Sequence, residues 1–275
     1  MGMIVNRLLQ TGVAFMTLLA SPVMAADMPV KTSQAPPVAP VFSWTGLYFG
    51  LNAGWLGADN SMVNQATPGA DPGVDVQDLV ALSTGGVSVG NKSGFIGGAE
   101  LGYNYQFNTW VAGIEADIQG IAGQAVNGSL TTASGSITST LTGSMDTRWL
   151  GTLRGRLGFV PTPAVLVYGT GGLAYSEVAA TTSLSQSDTA TAFSGSGTGG
   201  AGFAQLVTGW TAGGGVEWMF AQNWSAKLEY LHYDLGTTSF SWVATDNTSR
   251  AIYQTEATSV HNQGNIVRVG LNCLW

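Results

Sequence analysis

The 275-residue chain is poor in charge, with Asp, Glu, Lys and Arg making up 9% of it against roughly 25% in soluble domains. A water-soluble protein of this length would lack the polar groups to cover its surface, so part of that surface must face something other than water. Cysteine occurs once, as Cys273, and histidine twice, which excludes an intrachain disulfide and a Cys/His metal cluster. Acidic residues outnumber basic ones by 16 to 9. That balance speaks against nucleic acid as a partner and provides no polybasic patch for lipid. Beyond residue 25 there is no stretch of 18 uncharged apolar residues, so no membrane-spanning helix is expected there.

What is present begins with an export signal. Arg7 supplies a positive n-region, LLQTGVAFMTLLA a short apolar h-region, and SPVMA places Val23 and Ala25 at the positions a signal peptidase reads. A cleaved signal peptide is therefore expected over 1–25. Residues 26–43 carry four prolines and no periodicity and read as an extended periplasmic tether.

From Trp44 onward the hydrophobic pattern has period two. In GLYFGLNAGW, Leu47, Phe49, Leu51, Ala53 and Trp55 share one face, with Tyr48, Gly50, Asn52 and Gly54 on the other. The pattern recurs in FIGGAELGYNYQF, WVAGIEADIQ, RWLGTLRGRLGF, AVLVYGTGGLAY, WTAGGGVEWMF, WSAKLEYLHYDL and NIVRVGLNCLW. The faces of AVLVYGTGGLAY stay unassigned, because both are apolar or glycine. Short connections (FNT, VPTP, AQN) alternate with long ones rich in Gly, Ser and Thr over 56–94, 120–146, 176–208 and 236–263. The fold expected over 44–275 is thus an all-β, eight-stranded antiparallel up-and-down transmembrane barrel. It would carry four long extracellular loops and three short periplasmic turns.

Eight strands enclose only enough space for side chains to fill, so the bulky apolar face must point at lipid and the charged, Gly-rich face inward. The inward parity gathers Glu100, Glu115, Asp117, Glu217 and Glu229 with Arg148, Arg154, Arg156, Lys227 and Arg268. Buried charges must be paired, and an interlocking lumen network follows, with Glu115 and Asp117 as partners of Arg154 and Arg156. A charged constriction passing small solutes is the alternative. Trp44, Trp110, Phe159, Trp218, Trp224 and Trp275 at the turn side, and Trp55, Trp149 and Trp210 at the loop side, read as two interfacial belts. The acids of the long connections, Asp59, Asp71, Asp75, Asp78, Glu177, Asp188, Asp246 and Glu256, read as solvating charges. DPGVDVQD lacks the spacing of a calcium loop.

Enzymatic signals are thin. GSGTGG at 195–200 matches a nucleotide-binding pattern formally but joins no strand to a helix. His232, Asp234 and His261 lie near the outer rim, where a lipid-modifying hydrolase embedded in the barrel would hold its base. The reading adopted is no enzyme, no cofactor and no metal.

SWTGLYFGLNAGW, SGFIGGAELGYNYQF, WLGTLRGRLGF, LVYGTGGLAY, LEYLHYDLG and NIVRVGLNCLW together resemble the small outer-membrane β-barrel proteins of alphaproteobacteria. These are the surface-antigen or "porin family" proteins with an OmpA-like barrel. The resemblance implies residence in the outer membrane of a Gram-negative cell, with both termini periplasmic. It implies contact with outer-membrane lipid and lipopolysaccharide, and insertion by the barrel-assembly machinery, which would read Leu271 and Trp275. The ending Cys273-Leu274-Trp275 departs from the Tyr-x-Phe that family members often carry. A structural and surface-interaction role is expected, with a low-conductance porin as the alternative and a lipid-modifying hydrolase third. Contact of the N-terminal tether with peptidoglycan is a further expectation.

Overall fold

A computed structural model of the chain describes residues 42–68, 85–87, 93–123, 125–189, 196–247 and 252–275. The expected signal peptide and all but the last two residues of the tether lie outside them. The described elements are eleven strands: β1 (Gly46–Pro68), β2 (Gly85–Val87), β3 (Ser93–Phe107), β4 (Trp110–Ile121), β5 (Val126–Ser134) and β6 (Ile137–Thr147), followed by β7 (Trp149–Thr162), β8 (Val165–Asp188), β9 (Ser196–Ala221), β10 (Trp224–Asp246) and β11 (Ile252–Leu274).

Eight of these close a ring in the order β1-β3-β4-β7-β8-β9-β10-β11, and β11 returns to β1. Closure is antiparallel and long, from Tyr48 opposite Leu274 to Pro68 opposite Gln254. The Trp275 amide extends it by donating to the Leu47 carbonyl at 2.8 Å. A closed ring leaves no strand edge to face hydrocarbon, where an unsatisfied backbone group costs several kcal/mol. One end is turned tightly, as at Asn108, whose φ of 55° suits a residue that tolerates the left-handed region.

The long connections differ from expectation. The Gly/Ser/Thr stretches are largely strand rather than loop. β1 runs on to Pro68, β8 to Asp188 and β10 to Asp246, while β9 starts at Ser196 and β11 at Ile252. The hairpin β5–β6 occupies most of 120–146 and pairs through β6 with the outer half of β8. Thr is β-branched and favours strands, and outside the membrane a wall needs no apolar outer face. A polar composition therefore did not signal loop here.

The polarity of the two faces also reverses along the long strands, while the outward parity stays the same. On β1 the outward residues are Leu47, Phe49, Leu51 and Trp55, then Asp59 and Ser61; the inward ones pass from Asn52 to Leu56 and Met62. On β11 the outward Val267, Val269 and Leu271 are preceded by Ser259, His261 and Gln263, while Val260 and Ile266 are buried. The membrane zone is apolar outside; the zone beyond it is apolar inside, like a soluble barrel. On β8 the faces left open by the sequence are settled: Val167 and Leu173 point outward, and Leu166, Tyr168 and Ala174 inward.

Candidate functional site

Read up the inward face of several ring strands, the side chains change character twice. On β4 they run Val111, then Glu115, Asp117 and Gln119, then Ile121; on β7, Val160, then Arg156, Arg154 and Thr152, then Leu150. On β11 they run Leu274, then Asn272 and Arg268, then Ile266. Stacked around the ring, these make a polar layer between two apolar ones. The turn-side layer packs Trp44, Val111, Val160, Leu166, Met219 and Leu274. The layer above the charges packs Leu56, Ile96, Met145, Leu150, Leu231 and Ile266.

Glu115 is the hub of the charged layer. It takes the Lys227 ammonium at 3.1 Å, Arg268 at 3.4 Å and Arg156 at 3.5 Å, pairs closely with Arg154, and accepts the Tyr48 hydroxyl at 2.6 Å. Arg154, opposite Glu115 in the β4–β7 register, also reaches Asp117 at 2.7 Å and, across the lumen, Glu229 at 3.1 Å. Arg156 takes a different partner: its guanidinium binds Glu217 at 2.8 Å and lies 4.0 Å over the Tyr168 ring. Lys227 pairs with Glu100 at 2.5 Å, and Arg268 with Glu229 at 2.5 Å and Asp117 at 3.0 Å. All nine side chains are buried.

Arg148 is the exception and a correction. It sits at the rim with its side chain 85% exposed, paired to Asp146 at 2.8 Å. It precedes β7, where the inward alternation has not begun. The layer therefore holds five carboxylates against four cations, and neutral donors offset the excess. Asn52 donates to Glu100, Tyr168 to Glu229, Thr152 and Gln119 to Asp117, and Ser225 and Asn272 to Glu217. Counting charges missed these neutral members, although Tyr48 and Asn52 stand on the inward parity of the first strand. Space for them comes from glycines across the ladder. A Cβ added at Gly172 would come 2.7 Å from the Arg154 Cα, and one at Gly54 would come 2.6 Å from the Arg268 Cα.

Of the aromatic positions, Trp55, Trp110, Phe159, Trp210, Trp218, Trp224 and Trp275 are outward and exposed, as is Leu271. Trp149 is half-buried against Tyr175, ring centroids 5.9 Å apart. Trp44 corrects the belt assignment: it is fully buried, its indole N–H donating to the Pro163 carbonyl at 3.2 Å. It shares the even parity of Tyr48, so it closes the turn-side mouth from within. Trp242 is likewise inside, against Leu141, Leu184 and Ala244. Glu256 and Asp246, expected as solvating charges, are buried, Glu256 accepting from Gln254 at 2.8 Å. Cys273 is half-buried on the lipid-facing parity. Level with Trp210 and below the upper wall rather than on the outer rim, Asp234 lies 3.7 Å from His261, whose Nδ1 meets Thr237 at 3.1 Å. His232 is held separately by Asn265. Among the described residues there is no group of three His, Cys, Asp or Glu able to hold a metal.

A family model described as "Outer membrane protein beta-barrel domain" matches residues 11–261. The 31 kDa outer-membrane immunogenic protein of Brucella melitensis is 37% identical over 260 residues, covering 93% of this chain and 94% of that one. The 22 kDa outer membrane protein of Rhizobium leguminosarum bv. viciae is 29% identical over 222 residues, 76% of each chain. Among solved structures, OprG of Pseudomonas aeruginosa aligns with 86% of this chain and 100% of its own at 12% identity, with a TM-score of 0.41.

Proposed function

Because the chain belongs to the outer membrane protein β-barrel domain family, and so resides in the outer membrane of a Gram-negative cell, we propose that it is a sealed structural barrel. On this reading its work is to brace the membrane and to carry a tall strand-built rim on the cell surface. The observation that carries this is the three-layered lumen. A diffusing solute would have to cross the turn-side apolar layer, then ion pairs whose members are all buried, then a second apolar layer. Breaking a buried pair by removing one partner costs about 3–5 kcal/mol, which favours a charged layer that stays closed.

The outward aromatics would sit at the two lipid–water interfaces, in contact with phospholipid on one side and lipopolysaccharide on the other. Leu271 and Trp275 would be read by the barrel-assembly machinery, and the tether would lie toward peptidoglycan. Planar-bilayer conductance of the refolded mature protein, its folding verified by heat-dependent mobility on a gel, tests the sealed lumen. The expected result is silence. Reproducible unitary channels altered by Arg154→Ala would make the protein a porin instead.

A further inference from the structure

The wall of the ring is not uniformly paired. β8 and β9 pair without a break from Val165 opposite Trp218 to Ser187 opposite Ser196, and β10 stays with β11 throughout its length. Between β9 and β10, pairing stops at Trp210 opposite Asp234 and resumes only at Gly199 opposite Ala244. A seam of about ten residues on each strand is left, its foot at the outward Trp210. Its backbone groups face one another across the wall without pairing, while β9 follows β8 and β10 follows β11.

Side chains alone close the seam. The Phe203 and Phe240 rings meet edge to face at 5.2 Å across it. Behind them Val178, Val207, Leu235 and Val260, together with Thr238 and Asn262, line a void of about 10 Å³, too small for more than one water. These residues belong to, or pack against, the apolar layer above the charges. Both strands are locally loose. β10 has a register shift just above Asp234, where Gly236 adopts a φ of 73° with open space around its Cβ position. The facing stretch of β9 carries Gly200, Gly202 and Gly209, and glycine within a strand weakens it.

We propose that this seam is a lateral port, through which an uncharged hydrocarbon molecule one chain wide enters the apolar layer from the outer interface. The site is blind, since the charged layer forms its floor, and it opens beyond the small void only as the side chains of the apolar layer give way. The chemical class follows from what lines the port. Phe203, Val207, Leu235 and Phe240 stand among uncharged polar residues such as Thr238 and Asn262, Asp234 stands at the foot, and among the described residues no Lys or Arg lines the void, so an anionic headgroup is disfavoured. The seam lies above the acyl region, where water can satisfy the unpaired amides while the port is closed. Phe203 and Phe240 must part for the molecule to pass.

Methionines report on this without bulky labels. Met62 and Met145 lie in the upper apolar layer and Met219 in the turn-side layer, all buried. The mature protein, grown with photo-methionine and refolded in phospholipid vesicles, is irradiated with 1-decanol or with decanoate. Adducts are then mapped by mass spectrometry. The expected result is decanol on the Met62 and Met145 peptides, several-fold less decanoate there, and neither on Met219. In Phe203→Cys/Phe240→Cys on a Cys273→Ser background, oxidation should suppress the decanol adducts several-fold relative to the same protein reduced. No adduct at Met62 or Met145, equal labelling of Met219, phospholipid adducts in place of decanol, or indifference to the cross-link would each overturn the port.

Discussion

Glu115 holds more partners than any other side chain of the lumen, and its removal should cost accordingly. Four cations face it, so Glu115→Ala strips a shared partner from Arg154, Arg156, Lys227 and Arg268 at once and takes the acceptor from the Tyr48 hydroxyl. We expect a loss of about 3–5 kcal/mol in equilibrium urea unfolding from lipid vesicles. Arg148→Ala, at the exposed rim, should leave the unfolding curve where it is. Equal shifts for both would mean that the charged layer is not what holds the ring. The contrast shows how far a single residue can be read from sequence. Parity gave nine of the ten charged positions their face, since side chains alternate strictly along a strand. It misplaced Arg148 because alternation has no meaning before the strand begins. The neutral donors were invisible for another reason: Thr152 or Ser225 does not declare itself as part of a charge network until the register puts a carboxylate beside it.

A strand that serves two solvents has to change which face is greasy, and β11 does so within one element. Val269→Lys places a cation on the lipid face and should cost about 2–4 kcal/mol near the bilayer midplane. Ser259→Lys on the same outward parity, ten positions earlier, should cost nothing measurable, because water already lies there. Folding free energies of the two variants in vesicles would check the reversal. Similar costs would place Ser259 in lipid as well. The existence of all eight ring strands was legible from period-two patterning, and the short turns from their residues. The strand lengths were not. Beyond the membrane the outward residues are largely Ser and Thr, with a few apolar ones such as Val63, Leu206 and Val243, and the inward apolar ones a sparse set such as Leu184, Val207 and Val260. Ser/Thr-rich sequence is equally at home in a loop; only pairing with a neighbouring chain segment decides.

For the whole molecule the cationic side chains double as a map of protease access. Among the described residues the lysines and arginines are Arg148, Arg154, Arg156, Lys227 and Arg268, and only Arg148 is exposed. Trypsin added to the intact folded protein should therefore leave the peptide bonds after the other four uncut while cleaving after Arg148. Heating before digestion should release all of them, as read by mass spectrometry. Cleavage at Arg154 or Lys227 in the unheated protein would show that the lumen opens on the timescale of digestion.

The strands do not stop at the membrane surface. From Ile266 back to Gln254, β11 rises roughly 40 Å along its length, or about 28 Å of height at the usual tilt. A hydrogen-bonded wall of that height is a pedestal. A large molecule approaching the cell, an antibody for instance, touches it before it can reach the lipid. What that visitor samples is a fixed relief made of residues from strands distant in sequence, such as Ser61 beside His261, so the surface it learns exists only while the chain is folded.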